Sequence, residues 1–259
     1  MTSINNTDVV KKQYGTSNNL NTRISIHSKY SKNKQGFHNW IISHYEIKDG
    51  FKILELGCGT GDMWVGQEEM IGKAERIILS DFSEGMLEQA KEKIGDYKNI
   101  EYQVIDIQNI PYADGEFDVV IGNMMLYHVP DLDKGLAEVR RVLKDGGKFY
   151  CATFGVNGIM NYVNKALEAY VKGAEVNENF TLQNGEEKLS KHFDNVERCI
   201  YDDALLVTDV DDMVDYIYSL SGMSGLQDIP RETIKEELTK RMVDGVLTVP
   251  KEYGMFIVR

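Results

Sequence analysis

The residues best suited to chemistry begin with a glycine-rich turn that directly follows an apolar segment. Residues 53–62 read Ile-Leu-Glu-Leu-Gly-Cys-Gly-Thr-Gly-Asp, which places glycines at Gly57, Gly59 and Gly61. Glycine lets the backbone approach a ligand closely, and the helix expected next would offer unpaired N–H groups to negative charge. Cys58 lies inside the turn, where we expect a small buried residue rather than a nucleophile. Many nucleotide-binding proteins contain such a turn, so the ligand must be inferred from the residues further along the chain.

Polar side chains mark the ends of four predicted strands. Glu55, just before the turn, suits a ligand ammonium or the turn itself, and Asp81 suits the two hydroxyls of a ribose. Asp106 suits the exocyclic amine of an adenine, and Asn123 ends the fourth strand beside the turn. The apolar side chains expected around the adenine ring are those of Phe82, Met86 and Ile107. S-adenosylmethionine contains an amino acid, a ribose and an adenine, and we expect the chain to bind it.

Alternating strands and helices must hold these groups at one edge of a sheet. The apolar patterns predict strands over 51–56, 76–80, 100–105, 117–122 and 148–154. They predict helices over 62–71, over 83–94 with Ser83 as N-cap, and from Leu132 to a stop near Gly146-Gly147. Such alternation is typical of an α/β fold with a doubly wound parallel sheet, in which ligands bind at the carboxyl ends of the strands.

The flanking segments differ from this central alternation. Before it, two short amphipathic helices broken near 32–36 are expected to form an N-terminal lid. After it, we predict helices over 161–171, 209–220 (with a capping box from Thr208 to Asp211) and 231–246, and strands over 196–206 and 253–258. We therefore predict one domain, with a lid over 1–46, a cofactor-binding core over 47–155, and C-terminal strands with a helical substrate-side insertion over 156–259.

Composition narrows the class of ligand and partner. The net charge of −12 over 259 residues argues against nucleic acid and anionic membranes as partners. No apolar run approaches the ~20 residues that span a bilayer, and the first residues lack signal-peptide features. The three cysteines form neither a disulfide framework nor a metal-binding CxxC pair, so we expect no metal and a cytoplasmic protein. We expect a small-molecule acceptor and a monomer or homodimer.

The N-terminal segment is basic, in contrast to the rest of the chain. Between Val9 and Tyr45 there are six lysines and arginines and no acidic residue. This segment is either a solvated face or a lid that attracts an anionic ligand. Tyr14 and Arg23 could close over the bound cofactor, or could simply pack the lid.

Two histidines are candidates for a general base. His128 follows the fourth strand, where this type of fold faces its substrate, although a histidine there can also cap the next helix. His27, in the basic segment, is the second candidate.

Several segments together resemble the class I S-adenosylmethionine-dependent methyltransferases, in particular their ubiquinone/menaquinone-biosynthesis-like branch. The resemblance covers roughly residues 50–155 and rests on these segments: Ile53–Asp62, Leu79–Ala90 (LSDFSEGMLEQA), Tyr102–Ile110, Pro111–Val120 (PYADGEFDVV), Tyr127–Asp131 (YHVPD) and Leu136–Phe149. It implies a seven-stranded sheet whose last strand is antiparallel. It also implies that Gly57 and Gly59 lie against the methionine portion, that Asp81 binds the ribose and Asp106 the adenine, and that Asn123 lines the site by its backbone.

Two other functions stay open from the residues alone. A nicotinamide-dependent oxidoreductase would carry G-x-G-x-x-G, but Asp62 stands where the third glycine is required. A protein that binds the cofactor without turnover, as a sensor or partner subunit, would keep the same binding residues. The methyltransferase remains our principal prediction, with transfer by in-line displacement and S-adenosylhomocysteine as product.

Overall fold

A mixed seven-stranded sheet organises the computed structural model, which describes residues 17–170, 177–220 and 225–259. The strands are β1 (Lys52–Leu56), β2 (Arg76–Asp81), β3 (Ile100–Val104), β4 (Phe117–Ile121), β5 (Leu143–Phe154), β6 (Val196–Val207) and β7 (Leu247–Val258). Their order in the sheet is β3-β2-β1-β4-β5-β7-β6, with β1 to β5 parallel and the last strand antiparallel. The predicted fold class is therefore confirmed.

The helices fall in the connections and flanks. They are α1 (Ser17–Tyr30), α2 (Phe37–Ile42), α3 (Glu68–Lys73), α4 (Glu84–Ile94), α5 (Leu132–Val142), α6 (Ile159–Ala166), α7 (Gly185–Leu189), α8 (Val210–Ser219) and α9 (Arg231–Thr239), with short 3-10 helices at Leu126–His128 and Gly225–Asp228. None of the helices in the described ranges is long and apolar enough to cross a membrane. The predicted break between the first two helices is confirmed.

The chain divides into two compact units. Unit 1 comprises Met1–Gly36, Phe154–Glu178 and Tyr201–Tyr253, and unit 2 comprises Phe37–Thr153, Asn179–Ile200 and Gly254–Arg259. The prediction of a single domain with a lid and an insertion stays a prediction.

Unit 2 owes its core to strands that are covered on both faces. In β1 and β4 nearly every residue is buried, as expected for the middle of a parallel sheet. Helix α5 buries Leu132, Leu136 and Val139 along one stripe, and α4 buries Leu87 and Ala90. Burying each large aliphatic side chain stabilises the fold by ~1.5–3 kcal/mol, so this core holds the strand ends in fixed register.

Unit 1 has a core of its own, made chiefly by helices. Apolar side chains of α1, α6, α8 and α9 are buried in one cluster with residues of β6 and β7; among them are Ile26, Val163, Met213, Ile234 and Val249.

Several predicted helices differ from the observed ones. The helix predicted over 62–71 is wrong in its first half: residues 62–66 form turns, and α3 begins only at Glu68. Gly66 has a left-handed φ of 74°, which a continuous right-handed helix does not allow. The prediction that a helix N-terminus directly follows the glycine turn is therefore wrong as well.

The remaining differences also have local causes. Helix α5 ends at Val142 rather than near Gly146-Gly147, because Leu143 already has extended backbone and pairs with Phe117. Helix α9 ends at Thr239, since the chain then turns back and Val243 bonds to Val246. The prediction over 161–171 gives way to α6 at Ile159–Ala166, and residue 171 lies outside the described ranges. Asp209, not Thr208, caps α8 by accepting a hydrogen bond from the backbone of Asp211.

Candidate cofactor site

The glycine turn is a series of tight backbone turns at the carboxyl end of β1. The N–H of Cys58 donates to the carbonyl of Ser80 at 2.8 Å, which ties the turn to β2, and the N–H of Gly61 donates to the carbonyl of Cys58 at 3.0 Å. Gly57, Gly59 and Gly61 all have φ between 56° and 74°. Cys58 is buried, as predicted, and burial raises the pKa of its thiol, so it is a poor nucleophile.

The last two glycines of the turn have different surroundings. A Cβ on Gly61 would lie 2.7 Å from Cδ1 of Ile94 and 3.0 Å from Cβ of Ala90, because α4 packs closely there. A Cβ on Gly59 would meet no atom of the described residues within 4 Å. The turn therefore packs against the protein at Gly61 and leaves open space at Gly59, where a ligand can approach the backbone.

Asp81 connects the turn to the start of α4. Its Oδ2 accepts a hydrogen bond from the N–H of Gly59 at 3.0 Å, and its Oδ1 accepts one from the N–H of Ser83 at 2.9 Å. Ser83 stands at the predicted N-cap position, but its side chain makes no capping bond. Each carboxylate oxygen has a second acceptor position, so Asp81 keeps the capacity for two ligand hydroxyls while it holds the turn.

Glu55 is buried beneath the turn. Its Oε2 accepts a hydrogen bond from the indole N–H of Trp64, and no other described residue donates to the carboxylate. The pKa of Glu55 is raised to about 7, chiefly by burial and in addition by the charge of nearby Asp81, against the opposing effect of the Trp64 bond. Near neutral pH this carboxyl is therefore divided between its charged and neutral forms.

Asp106 is held by its own neighbour along the chain. Gln108 donates to Asp106 Oδ1 from its backbone N–H at 2.9 Å and from its side-chain amide at 3.0 Å. The Oε1 of Gln108 in turn accepts from the N–H of Asp131 at 3.2 Å. The same amide also donates to Oδ2 at 3.3 Å, so Asp106 has a fixed orientation, with an acceptor position left on Oδ2.

The three apolar residues predicted around the adenine differ in exposure. Phe82 is 58% exposed, Met86 is partly buried, and Ile107 is buried. A large exposed aromatic ring such as that of Phe82 is the kind of surface that a planar base would cover.

Asn123 uses its side chain to brace the end of β4. Its Nδ2 donates to the hydroxyl of Tyr45 at 2.6 Å, and its Oδ1 accepts from the N–H of Ala152 at 3.1 Å. Its side chain is thus engaged with the protein, and the expectation that its backbone lines the site stays a prediction. The next residue, Met124, has a left-handed φ of 53°, a strained conformation of the kind found at functional sites.

The two candidate bases are both held as neutral imidazoles. Burial lowers the pKa of His128, and its buried Nδ1 forms no hydrogen bond within the described part of the chain. His27 belongs to unit 1, where burial and the charge of Lys251 lower its pKa to about 4, against the opposing charge of Asp203. His27 packs edge-on against the rings of Tyr216 and Tyr253.

For two predicted site residues, Tyr14 and Arg23, the side chains lie outside the described part of the structure. Tyr14 lies outside the described residues, and for Arg23 the description is limited to its backbone position in α1.

The structure adds residues to the site that the sequence did not indicate. Trp64 bonds to Glu55, Gln108 orients Asp106, and Tyr45 contacts Asn123. Of these three contacts, only that of Gln108 could have been predicted from the sequence, because a residue two positions after an Asp commonly bonds back to it in a turn. In unit 2, the carboxyl ends of β1, β2 and β3 thus carry three carboxyl groups, those of Glu55, Asp81 and Asp106, which suit an ammonium, two hydroxyls and an amine.

The doubly wound sheet with this edge defines a Rossmann-like α/β protein built for a nucleoside-type ligand. The sequence profile of the ubiE/COQ5 methyltransferase family matches residues 5–176. This range covers more than half of the 259 residues, and the chain belongs to that family. The predicted resemblance is thereby confirmed.

Individual relatives match the chain over part of its length. A demethylmenaquinone methyltransferase of Staphylococcus saprophyticus is 35% identical over 144 residues, which are 56% of this chain and 60% of the relative. A ubiquinone/menaquinone biosynthesis C-methyltransferase of Cronobacter sakazakii is 32% identical over 127 residues, 48% of this chain and 50% of the relative. The chain thus spans half to three fifths of the length of these relatives.

A solved structure with the same fold covers the whole chain. It is a phosphoethanolamine N-methyltransferase of Haemonchus contortus in complex with phosphomonomethylethanolamine and S-adenosylhomocysteine. The TM-score is 0.60 at 17% identity, with 100% of this chain and 60% of that chain covered. At this identity the likeness shows the fold alone.

Proposed function

We propose that the protein transfers a methyl group from S-adenosylmethionine to a small-molecule acceptor. The observation that carries the proposal is the set of groups at one sheet edge of unit 2: Glu55 is the last residue but one of β1, Gly59 follows β1, Asp81 ends β2 and Asp106 follows β3, and these three strands are neighbours in the sheet. The open space at Gly59 and the remaining acceptor positions on both aspartates fit the donor's amino-acid and nucleoside parts. Family membership supports the same ligand.

The chain's own residues would act mainly by binding and alignment. Asp81 would accept the ribose hydroxyls, Asp106 the adenine amine, and Glu55 the ammonium. When bound, the donor supplies a methyl group already activated by its sulfonium. Because displacement at carbon needs an aligned attack, such positioning can contribute ~7–11 kcal/mol to catalysis.

The acceptor class is the less constrained part of the proposal. The names of the curated relatives support a quinol-type ring as acceptor, methylated on carbon or oxygen. Methylation of such an acceptor on carbon or oxygen releases one proton overall. We assign His128, a neutral imidazole in unit 2, to receive that proton. His27 is the alternative base. A cytoplasmic location and a monomeric or dimeric state belong to the same proposal.

The first test is transfer of labelled methyl from S-adenosylmethionine to a panel of reduced naphthoquinols, benzoquinols and simple phenols. We expect label on at least one quinol and none without protein. Donor binding with no transfer to any acceptor would favour the sensor or partner subunit, and binding of NADH in place of the donor would favour the oxidoreductase.

A matched pair of variants tests the donor site itself. Asp81→Ala should weaken binding of S-adenosylhomocysteine by about 10² or more, because it removes an acceptor for two hydroxyls and releases Gly59. Asp96→Ala, at an exposed position after α4, should leave binding unchanged. Equal affinities for the two variants, measured by calorimetry, would contradict the assignment of Asp81.

A further inference from the structure

Trp64 is the hydrogen-bond partner of Glu55, the carboxyl group buried under the glycine turn. Its side chain is 1% exposed, and its indole N–H donates to Glu55 Oε2. It packs in the same core cluster as Ile41, Ile53 and Cys58. A buried indole whose N–H points at a buried carboxylate is a specific contact, since neither group can rotate to a substitute partner in the core.

Successive tight turns bring Trp64 back to Glu55. The N–H of Gly61 donates to the carbonyl of Cys58, that of Trp64 to Gly61 at 2.9 Å, and that of Gln67 to Trp64 at 3.2 Å. A regular helix over 62–71 would replace these turns by bonds between residues four apart. The departure from the predicted helix is therefore what positions the indole beneath the turn.

The charges near Glu55 make this single bond important. Asp81 repels the ionised carboxylate from β2, while Tyr45 and Cys58 face it as neutral groups whose pKa values are themselves raised. No cation acts on Glu55 in the described part of the chain. The bond from Trp64 is thus the one interaction there that favours the charged form, and none of the described residues donates to Glu55 Oε1, which could therefore accept from a ligand.

We propose that Trp64 is a positioning residue of the donor site, which holds the Glu55 carboxylate ionised and oriented so that its second oxygen receives the donor's ammonium. The proposal rests on the donor site proposed above. Its consequence is that donor affinity rises with pH as Glu55 ionises, with a midpoint near neutrality in the protein as it stands.

The test compares Trp64→Phe with Trp40→Phe by calorimetry with S-adenosylhomocysteine from pH 5.5 to 8.5. Phe keeps an aromatic ring in the core but has no N–H. Trp40, the other tryptophan, stacks on Phe37 in α2 and is the matched control. Thermal unfolding of both variants confirms that each is folded, and fluorescence of Trp64 in the Trp40→Phe variant reports the ionisation of Glu55 without ligand.

In Trp64→Phe we expect the midpoint to move to higher pH by roughly one to two units, because a hydrogen bond to a charged group contributes that much to ionisation. Kd at pH 7 should then rise roughly fivefold or more, and the difference should shrink at pH 8.5. Trp40→Phe should match the wild type.

Two results would overturn the proposal. One is an unchanged midpoint in Trp64→Phe, and the other is an equal loss of affinity at every pH, which a purely structural role would give. If the unmodified protein binds no S-adenosylhomocysteine at any pH, the proposed function itself fails. If it binds and only the midpoint test fails, the role of Trp64 alone is rejected.

Discussion

Replacement of Glu55 by Gln should change how the stability of the fold depends on pH. Folding moves the pKa of Glu55 from its ordinary 4.5 to about 7, chiefly because the carboxylate loses its hydration. Since the folded-state value is the higher one, burial of this group adds no ionisation penalty below about pH 4.5. The penalty grows as the pH rises through 7 and is complete above it.

The magnitude follows from the two pKa values. Their difference is about 2.5, and one pKa unit corresponds to about 1.36 kcal/mol, so the full penalty is about 3 kcal/mol. Most of it, roughly 2–3 kcal/mol, develops between pH 5 and pH 8. Gln cannot ionise and can still accept from Trp64, so Glu55→Gln removes this pH-dependent part.

Urea unfolding of both proteins at pH 5 and pH 8 measures the effect. The free energy of unfolding of Glu55→Gln, relative to the wild type, should increase by roughly 2–3 kcal/mol between pH 5 and pH 8. Other titrating groups are common to both proteins and cancel, as does any constant effect of the amide. Parallel pH profiles would contradict this explanation and show that Glu55 does not titrate near neutral pH in the folded state.

Two further pairs of variants test the packing of the glycine turn and the energetics of a buried ion pair. Gly61→Ala should destabilise the fold more than Gly59→Ala, because both glycines adopt a left-handed φ but only Gly61 faces α4 side chains. Gly59→Ala should lower the free energy of unfolding by ~1–3 kcal/mol and should remove most of the affinity for the donor. The opposite ranking of the two variants in urea unfolding would be inconsistent with the turn described here. Lys251→Met should lower the free energy of unfolding by about 3–5 kcal/mol, because it leaves the buried Asp203 without its charged partner. Lys144→Met, which removes the partner of Asp118 in a half-exposed ion pair, should lower it by under ~1 kcal/mol. Equal losses in thermal or urea unfolding would contradict the burial of the Lys251–Asp203 pair.

Much of the sheet was predictable because its signals are local. Strands such as β1 and β4 are short segments rich in apolar residues, and their predicted bounds agree with the structure to within a residue. The position of Asp81 at the end of β2 follows directly from where the apolar run stops. Parallel strands bring such ends to one edge, which is why residues distant in sequence could be grouped from the sequence alone.

The interior of the site was less predictable because its contacts are not periodic. Apolar residues after the glycine turn suggested a helix over 62–71, although Gly66 inside it was a warning. That error concealed Trp64, whose contact with Glu55 depends on the turns that replace the helix. Tyr45 was likewise missed, since its bond to Asn123 joins residues 78 positions apart.

The most decisive test of the donor site is calorimetric titration of the purified protein with S-adenosylhomocysteine at pH 8, with NADH as the competing ligand. We predict binding of one S-adenosylhomocysteine per chain and no binding of NADH, because the residues at the sheet edge match an amino acid, a ribose and an adenine. Absence of S-adenosylhomocysteine binding, or displacement of it by NADH, would contradict the assignment of this edge as a methyl-donor site.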